Sequence, residues 1–353
     1  MSDVDPWAFP TWGDPAVAAQ ASDAAGDIPA ALRLARTLSF RGADMGRRTW
    51  PLLSTLATLG SVNLGTARAI EPHLDAQAIL AQAALGPEVA PDGAVWGVYA
   101  ADPPGTDLRC EVVDARPTLT GTKPWCSLPD LVSHALVTAP AEGGSALFAV
   151  SLRDPSVRTE TASWQPLGLR QVSTGSVRFN GTVVQPVGPT GWYLDRPGFA
   201  WGGIAVAAVW FGAAAALAGS LWRAAREREP DQIALMHLGT CDAELFGALT
   251  ALRHAATVID AGTVSTPQAQ LLASRVRALV ATTAERVLTV VGHALGPGPL
   301  SFDTAHLTRV ADLTLYLRQH HAERDLARLG SIATSADDPA LSPSDAHSQA
   351  RRP

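Results

Sequence analysis

Between Arg196 and Arg223 the chain runs from Pro197 to Trp222 without one charged side chain. A stretch this long either crosses a bilayer or is enclosed by protein. Its composition favours the second outcome, because Ala and Gly dominate it, an arginine flanks it at each end, and no second such stretch exists. The expectation is a buried central helix of a soluble bundle, with no membrane span. Small residues along it would let neighbouring helices approach closely.

The rest of the 353 residues changes character twice. Residues 1–30, rich in Pro, Asp and Ala and carrying Trp7 and Trp12, read as a loose N-terminal arm. Over residues 31–94 apolar residues recur at helical spacing, as in Leu52, Leu53, Leu56 and Leu59, so two or three helices form an N-terminal domain. Over 95–195 short runs of Val, Thr, Trp and Phe alternate with Pro and Gly turn signals, which reads as an antiparallel β domain. Long helices return over 196–330. Pro230-Asp231 opens one that reaches Ala261, with Leu235, Leu238, Leu245, Leu249, Leu252 and Ile259 on its stripe, and Thr266-Pro267 opens the next. A last helix is expected from Asp303 to Leu329, stopped by Gly330, and 331–353 read as a disordered tail. The fold class is α+β, with helices, a β domain and a helical bundle in that order.

Composition removes several functions. Net charge is −6 and only 17% of residues are charged, so no basic surface for nucleic acid is supplied. Three cysteines, Cys110, Cys126 and Cys241, have neither disulfide parity nor metal-ligand spacing. Asp3 and Asp5 stand where a signal peptide would carry positive charge, so the expected location is cytoplasmic. There is no Walker A loop, no G-x-S-x-G elbow, no H-E-x-x-H, and no G-x-G-x-x-G after a strand. His320 and Glu323 stand three apart on the last helix, but the paired Glu-x-x-His segments of a di-iron bundle are missing, so no metal is expected.

Four strings carry a resemblance. They are Tyr99-Ala100-Ala101-Asp102-Pro103 through Asp107, then Gly121-Thr122-Lys123-Pro124-Trp125-Cys126-Ser127, then Leu167-Gly168-Leu169-Arg170 with Ser173 to Phe179, and finally Gly292 to Gly298 followed by Asp312, Tyr316 and Gln319. Together with the helix, β, helix order they resemble the acyl-CoA dehydrogenase family over about residues 52 to 330. The second string matches that family's G-x-K-x-W-I-T/S segment in register and is the most specific of the four. The resemblance implies N-terminal helices, a middle antiparallel β-barrel and a C-terminal four-helix bundle. It also implies FAD as cofactor, an acyl-CoA or related acyl thioester as substrate, and an electron-transferring flavoprotein or similar acceptor. A homodimer or homotetramer, or a mixed oligomer with a related chain, is the implied assembly.

Carried over residue by residue, Trp125 packs on the flavin ring and Ser127 bonds near its N5. Tyr99 and Ala101 come from the shortened first string, Ala101 replacing a threonine hydroxyl, and Gly292 and Gly296 come from the glycine loop. Strand alternation puts Trp125 and Ser127 on one face and Cys126 on the other. The family's Arg-x-Phe-Gly segment, which holds the pyrophosphate from a neighbouring subunit, is replaced by Arg226-Glu227-Arg228-Glu229-Pro230-Asp231-Gln232. Its catalytic glutamate falls at His320, or near Gly202 in other branches, so His320 and Glu323 become the candidate acid–base residues. Helical spacing puts Leu307, Val310, Leu313 and Leu317 on one buried stripe, with Tyr316 and His320 on an adjacent face. These departures keep two alternatives in view: a flavin-dependent monooxygenase of the same superfamily, and a cofactor-poor partner subunit of a mixed dehydrogenase assembly.

Overall fold

The computed structural model describes residues 12–86, 89, 91–161 and 165–335. Trp7 and residues 336–353 of the expected tail therefore lie outside the described residues.

From Trp12 onward the expected loose arm is two capped helices. Asp14 accepts from the Ala16 and Val17 amides to open α1, Pro15–Asp23, and Asp27 accepts from the Ala30 amide to open α2, Ile28–Leu38. Each has proline at its first turn, where a missing N–H costs nothing. The composition that suggested an arm is thus the composition of two N-terminal caps. A 3₁₀ turn, Ser39–Asp44, leads to α3, Thr49–Val62, and α4, Leu64–Gln82. Trp12 is buried and packs edge-on against Phe211.

Among the described residues eight strands follow: β1 Trp96–Tyr99, β2 Arg109–Val113, β3 Arg116–Ser127, β4 His134–Ala141, β5 Gly144–Ser151, β6 Val157–Thr161, β7 Thr174–Val183 and β8 Gln185–Pro186. They form two four-stranded sheets, ordered β1-β4-β5-β8 and β2-β3-β7-β6, and neither closes, so the expected barrel is two open sheets. The pairing is antiparallel except between β1 and β4, which run parallel. The first sheet is buried on both faces. Val137, Phe148 and Val150 join the main core with Leu119 and Phe179 of the second sheet, while Leu136, Leu147 and Ala149 pack with Ile79 and Leu80 of α4. This double burial is why β4 and β5 read as unbroken apolar runs.

The C-terminal half comprises α5 Trp192–Asp195, α6 Pro197–Glu227, α7 Gln232–Asp260, α8 Thr266–Leu295, α9 Gly298–Phe302, α10 Thr304–Tyr316 and α11 Glu323–Ser335. By length and hydropathy α6 and α8 could cross a membrane, yet 83% of the apolar window of α6 is buried inside the protein. Its small residues permit the expected close approach: a Cβ on Gly212 would fall 1.8 Å from the Ala57 carbonyl oxygen of α3. Asp231 caps α7, and the stripe of that helix is buried from Leu245 to Ile259 while Leu235 stands exposed. Ser265 and Gln268 form a reciprocal capping box on α8, one residue earlier than expected.

The expected last helix is broken. α10 ends at Tyr316, a 3₁₀ turn covers Leu317–Gln319, and α11 starts at Glu323 and runs past Gly330. Of the expected stripe, Leu313 and Leu317 are buried and Leu307 is exposed. The resemblance strings also meet in space. The Leu169 amide donates to the buried Asp312 carboxylate, and Gly168 lies so close to α10 that a Cβ would fall 2.2 Å from the Ala311 carbonyl oxygen. This joint fixes the β domain against the bundle and places the end of β3 beside α4.

Candidate active site

The C-terminal end of β3 carries the first part of the site. Its pairing with β7 slips between Lys123 and Cys126, and Trp125 sits in the bulge with φ +58°, a left-handed conformation that is a true outlier for a bulky side chain. The bulge turns the indole outward, 58% exposed, while Cys126 is fully buried and Ser127 half-buried. The left-handed residue interrupts regular strand alternation here, and the exposure of Trp125 comes from the bulge. Tyr99, buried at the end of β1, donates its hydroxyl to the Ser127 carbonyl at 3.0 Å. Ala101 lies exposed in the loop after β1 and contributes no polar group.

The second part comes from α4. Arg68 Nη2 donates to Ser127 Oγ at 3.2 Å, and Arg68 Nη1 lies 3.4 Å from Glu71 Oε2 one turn later. Tyr316 of α10 donates its hydroxyl to the same Glu71 oxygen at 3.3 Å. Glu71 is 8% exposed. Burial raises its pKa to about 7 although Arg68 opposes the shift, so near neutral pH the carboxyl is poised between its two forms.

Glu71 also lines a cavity of about 390 Å³ enclosed by α4, α6, α8 and the corner between α10 and α11. Asp75, Arg196, Arg277 and His320 line it too. His320 is the first residue past the 3₁₀ turn, its side chain 9% exposed, and its Nε2 has no hydrogen-bond partner, Asp325 standing 3.9 Å away. Burial lowers its pKa, with Asp325 opposing, so at neutral pH the ring is uncharged. His321 also lines the cavity but is 66% exposed, and Glu323 is exposed on the first turn of α11, outside the cavity lining.

Sequence reasoning found no carboxylate at either position where the resemblance called for one. The structure supplies two from a third element, α4. Gly202 of α6 explains how: a Cβ there would lie 3.1 Å from Asp75 Oδ1, so the glycine leaves room for a carboxylate arriving from the opposite wall. The sequence signal that could have found them is the set of charges at 68, 71 and 75, Arg68, Glu71 and Asp75, which share one face of a helix otherwise rich in Ala and Leu.

Gly292 and Gly296 are not brought to this site. They stand at the C-terminal end of α8, about 22 Å along the helix from Arg277 at its rise of about 1.5 Å per residue. The residues between them, His293 to Leu295, line a separate cavity of about 310 Å³ together with Arg228 and His237. Among the described residues no group of three or more His, Cys, Asp or Glu is placed to hold a metal ion.

Helices on either side of two apposed sheets, with a polar site at the sheet–bundle junction, define the acyl-CoA dehydrogenase fold. The chain shares it with butyryl-CoA dehydrogenase from Megasphaera elsdenii, at 16% sequence identity over 92% of this chain and 95% of that chain, with a TM-score of 0.77. It is similar to KijD3 in complex with FMN and dTDP-3-amino-2,3,6-trideoxy-4-keto-3-methyl-D-glucose, at 19% identity, 91% and 90% coverage and a TM-score of 0.74. It is also similar to TdsC from Paenibacillus sp. A11-2 in complex with FMN and indole, at 15% identity, 93% and 99% coverage and a TM-score of 0.74, a protein described as a dibenzothiophene monooxygenase. No protein-family profile and no curated protein sequence matches the chain, so the likeness is one of fold.

Proposed function

We propose that the chain is a flavin-dependent oxidoreductase whose reacting centre lies between the Trp125–Ser127 strand end and Glu71. One observation carries this reading: a buried carboxyl with a pKa of about 7, tied through Arg68 to the Ser127 hydroxyl at the one strand end where an indole is forced outward. A flavin ring needs a flat apolar face and polar groups along one edge. Trp125 offers the first, and the Ser127 hydroxyl with the Arg68 guanidinium offers the second, so the residues present fit the ring. When bound, the flavin supplies a hydride acceptor.

Within that setting Glu71 takes a proton from the carbon next to a substrate carbonyl while the neighbouring carbon loses hydride, leaving a double bond. Proton transfer by a carboxylate with pKa near the working pH is efficient because both forms are populated. Arg68 and Tyr316 stabilise the ionised form, and His320, neutral at pH 7, is the second acid–base group on the same wall. An acyl thioester as substrate, FAD as the flavin, an electron-transferring flavoprotein as acceptor and an oligomeric assembly belong to this reading as the resemblance implies them.

A second reading rests on the stretch Arg226–Gln232, which lacks Phe-Gly, and on Gly292 and Gly296, which keep only part of the glycine loop. A chain without pyrophosphate contacts suits FMN, the flavin named for the KijD3 and TdsC complexes, and a reaction of reduced flavin with oxygen.

The absorption spectrum of the purified chain, followed by chromatography of the released flavin, tests both. Bound FAD with dye reduction by acyl-CoA is the expected result. FMN with oxygen consumption on external reduction of the flavin selects the second reading. A preparation that stays colourless with either flavin overturns both and leaves the cofactor-poor partner subunit.

A further inference from the structure

The charges on the 390 Å³ cavity balance, since Arg196, Arg277 and Arg328 line it together with Glu71, Asp75 and Asp325. Most of them are already engaged. Arg277 of α8 donates Nη1 to the Gly203 carbonyl at 2.9 Å and Nη2 to the Gln319 carbonyl at 3.2 Å. Arg196, the N-cap of α6, donates to the Gln82 amide oxygen, and Asp325 accepts from the His321 amide. Glu71 holds the Tyr316 hydroxyl and Arg68. Unspent hydrogen-bonding capacity is left on four other groups of the wall. Asp75 on α4 and Gln270 and Ser274 on α8 are half-buried, and none of these three side chains makes a hydrogen bond or ion pair among the described residues. Arg196 acts on Asp75 only through space. The fourth is His320, its side chain 9% exposed and its Nε2 without a hydrogen-bond partner.

Resting on the oxidoreductase reading above, we propose that this cavity receives a neutral, polyhydroxylated substrate whose hydroxyl groups bond Asp75, Gln270, Ser274 and His320 Nε2. An apolar chain in the same place would leave Asp75 and His320 dry and unbonded, at about 1–3 kcal/mol for each such group. An ammonium or a carboxylate would add an unbalanced charge to a lining that is already neutral. Hydroxyls satisfy both conditions, because each donates to a carboxylate oxygen or accepts from an amide N–H while carrying no charge, and two on adjacent carbons span the two oxygens of one carboxylate. The position follows from α4. Asp75 is four residues from Glu71, about 6 Å of helix rise, so hydroxyls held there stand that far from the reacting carbon beside Glu71. Gly202 on the facing wall keeps the space in front of Asp75 open, since a Cβ there would fall 3.1 Å from Oδ1. Tyr193 and Phe199, edge to face with ring centres 5.3 Å apart, line the same space and offer an aromatic surface to the C–H side of a hydroxylated ring. The carbonyl of the reading above therefore belongs to a hydroxylated skeleton.

The test is calorimetric titration of the full chain, with and without added FMN and FAD. The probes are methyl glucoside, glucosamine, glucuronate and cyclohexylmethanol, which are in turn neutral and polyhydroxylated, cationic, anionic, and neutral with a single hydroxyl. Methyl glucoside is expected to bind most tightly. Asp75→Ala is expected to weaken it roughly 10- to 100-fold and Ser274→Ala roughly 3- to 10-fold, and Arg324→Gln, exposed on α11, to leave it unchanged. Where Asp75→Ala fails to fold by circular dichroism, Asp75→Asn decides, because it keeps the size and loses the charge: binding weakened roughly threefold or more supports the site, and wild-type binding overturns it. No binding of methyl glucoside, binding indifferent to Asp75 and Ser274, or a preference for any of the other three probes each overturn the proposal. A flavin-free chain that binds methyl glucoside through Asp75 upholds the site while the oxidoreductase reading fails. A flavin-bound chain that ignores every probe sinks the hydroxyl site alone.

Discussion

Tyr316 on α10 donates its hydroxyl to the Glu71 carboxylate on α4, 3.3 Å away across 245 residues of sequence. Both side chains are buried, and burial drives both pKa values upward. The phenol therefore stays protonated and acts only as donor, and the carboxyl alone titrates in the working range. A group that is strained by burial yet retained beside the strand end with the outward indole is the pattern of a functional acid–base residue.

Glu71→Gln is expected to lower turnover by roughly 10²–10⁴ while making the protein more stable above neutral pH. The folded pKa of about 7 lies above the ordinary 4.5, so the contribution of Glu71 to stability is intact below pH 4.5 and is lost as pH rises to 7. At pH 8 the loss is of the order of 3 kcal/mol. Urea unfolding at pH 4.5 and pH 8 checks this: the variant gains over wild type only at the higher pH.

His73 gives the opposite slope. Its Nδ1 accepts the Trp96 amide at 3.3 Å and its Nε2 bonds Ser39 at 2.7 Å, so the ring is neutral and joins the 3₁₀ turn, α4 and β1. Burial, with Arg36 adding to it, lowers its pKa to about 4. The depressed value means that stability is intact above pH 6.5 and falls as pH drops toward 4, by about 2 kcal/mol at pH 5. Replacing His73 by Gln should flatten the urea midpoint between pH 5 and pH 7; an unchanged slope would show that another group carries it.

How much of this was legible in the sequence varies with the range of the interaction. The uncharged run of α6, the caps at Asp231 and near Thr266, and the Trp125-Cys126-Ser127 string are local patterns and could be read directly. The break at His320 could not, because no Gly or Pro marks it and the apolar spacing continues through Leu313 and Leu317. It is imposed from outside: Arg277 takes the Gln319 carbonyl, and Asp325 accepts from the His321 amide to open α11. Sheet closure was misjudged for a similar reason, since β1 pairs parallel with β4 across two intervening strands, β2 and β3. Glu71 was missed because Tyr316, which donates to it, and Ser127, which is linked to it through Arg68, come near it only through the tertiary fold.

Trp125→Ala separates folding from cofactor binding. The indole is 58% exposed and held at φ +58°, so its removal takes little buried area and eases no worse a backbone than it leaves. Stability should stay within about 0.5 kcal/mol of wild type, while flavin affinity falls by up to roughly tenfold through loss of an aromatic face. Equilibrium dialysis against FMN and FAD reads the affinity. A large loss of stability with unchanged flavin binding would mean that the residue serves packing instead.

His320 and its neighbours provide the last contrast, because three candidate side chains lie within four residues: His320 is nearly buried in the cavity wall, His321 lines it but is 66% exposed, and Glu323 stands outside its lining. His320→Ala should lower turnover by roughly 10²–10⁴ and remove the lower limb of the pH–rate profile, since burial sets the pKa of this ring below its ordinary value. Glu323→Gln, on the exposed first turn of α11, should leave both turnover and profile as they are. His321→Ala, with its ring 66% exposed, should have a small effect confined to the Asp325 contact. Matched small effects from all three would assign this corner to the solvated end of a helix and leave Glu71 as the acid–base group of the cavity.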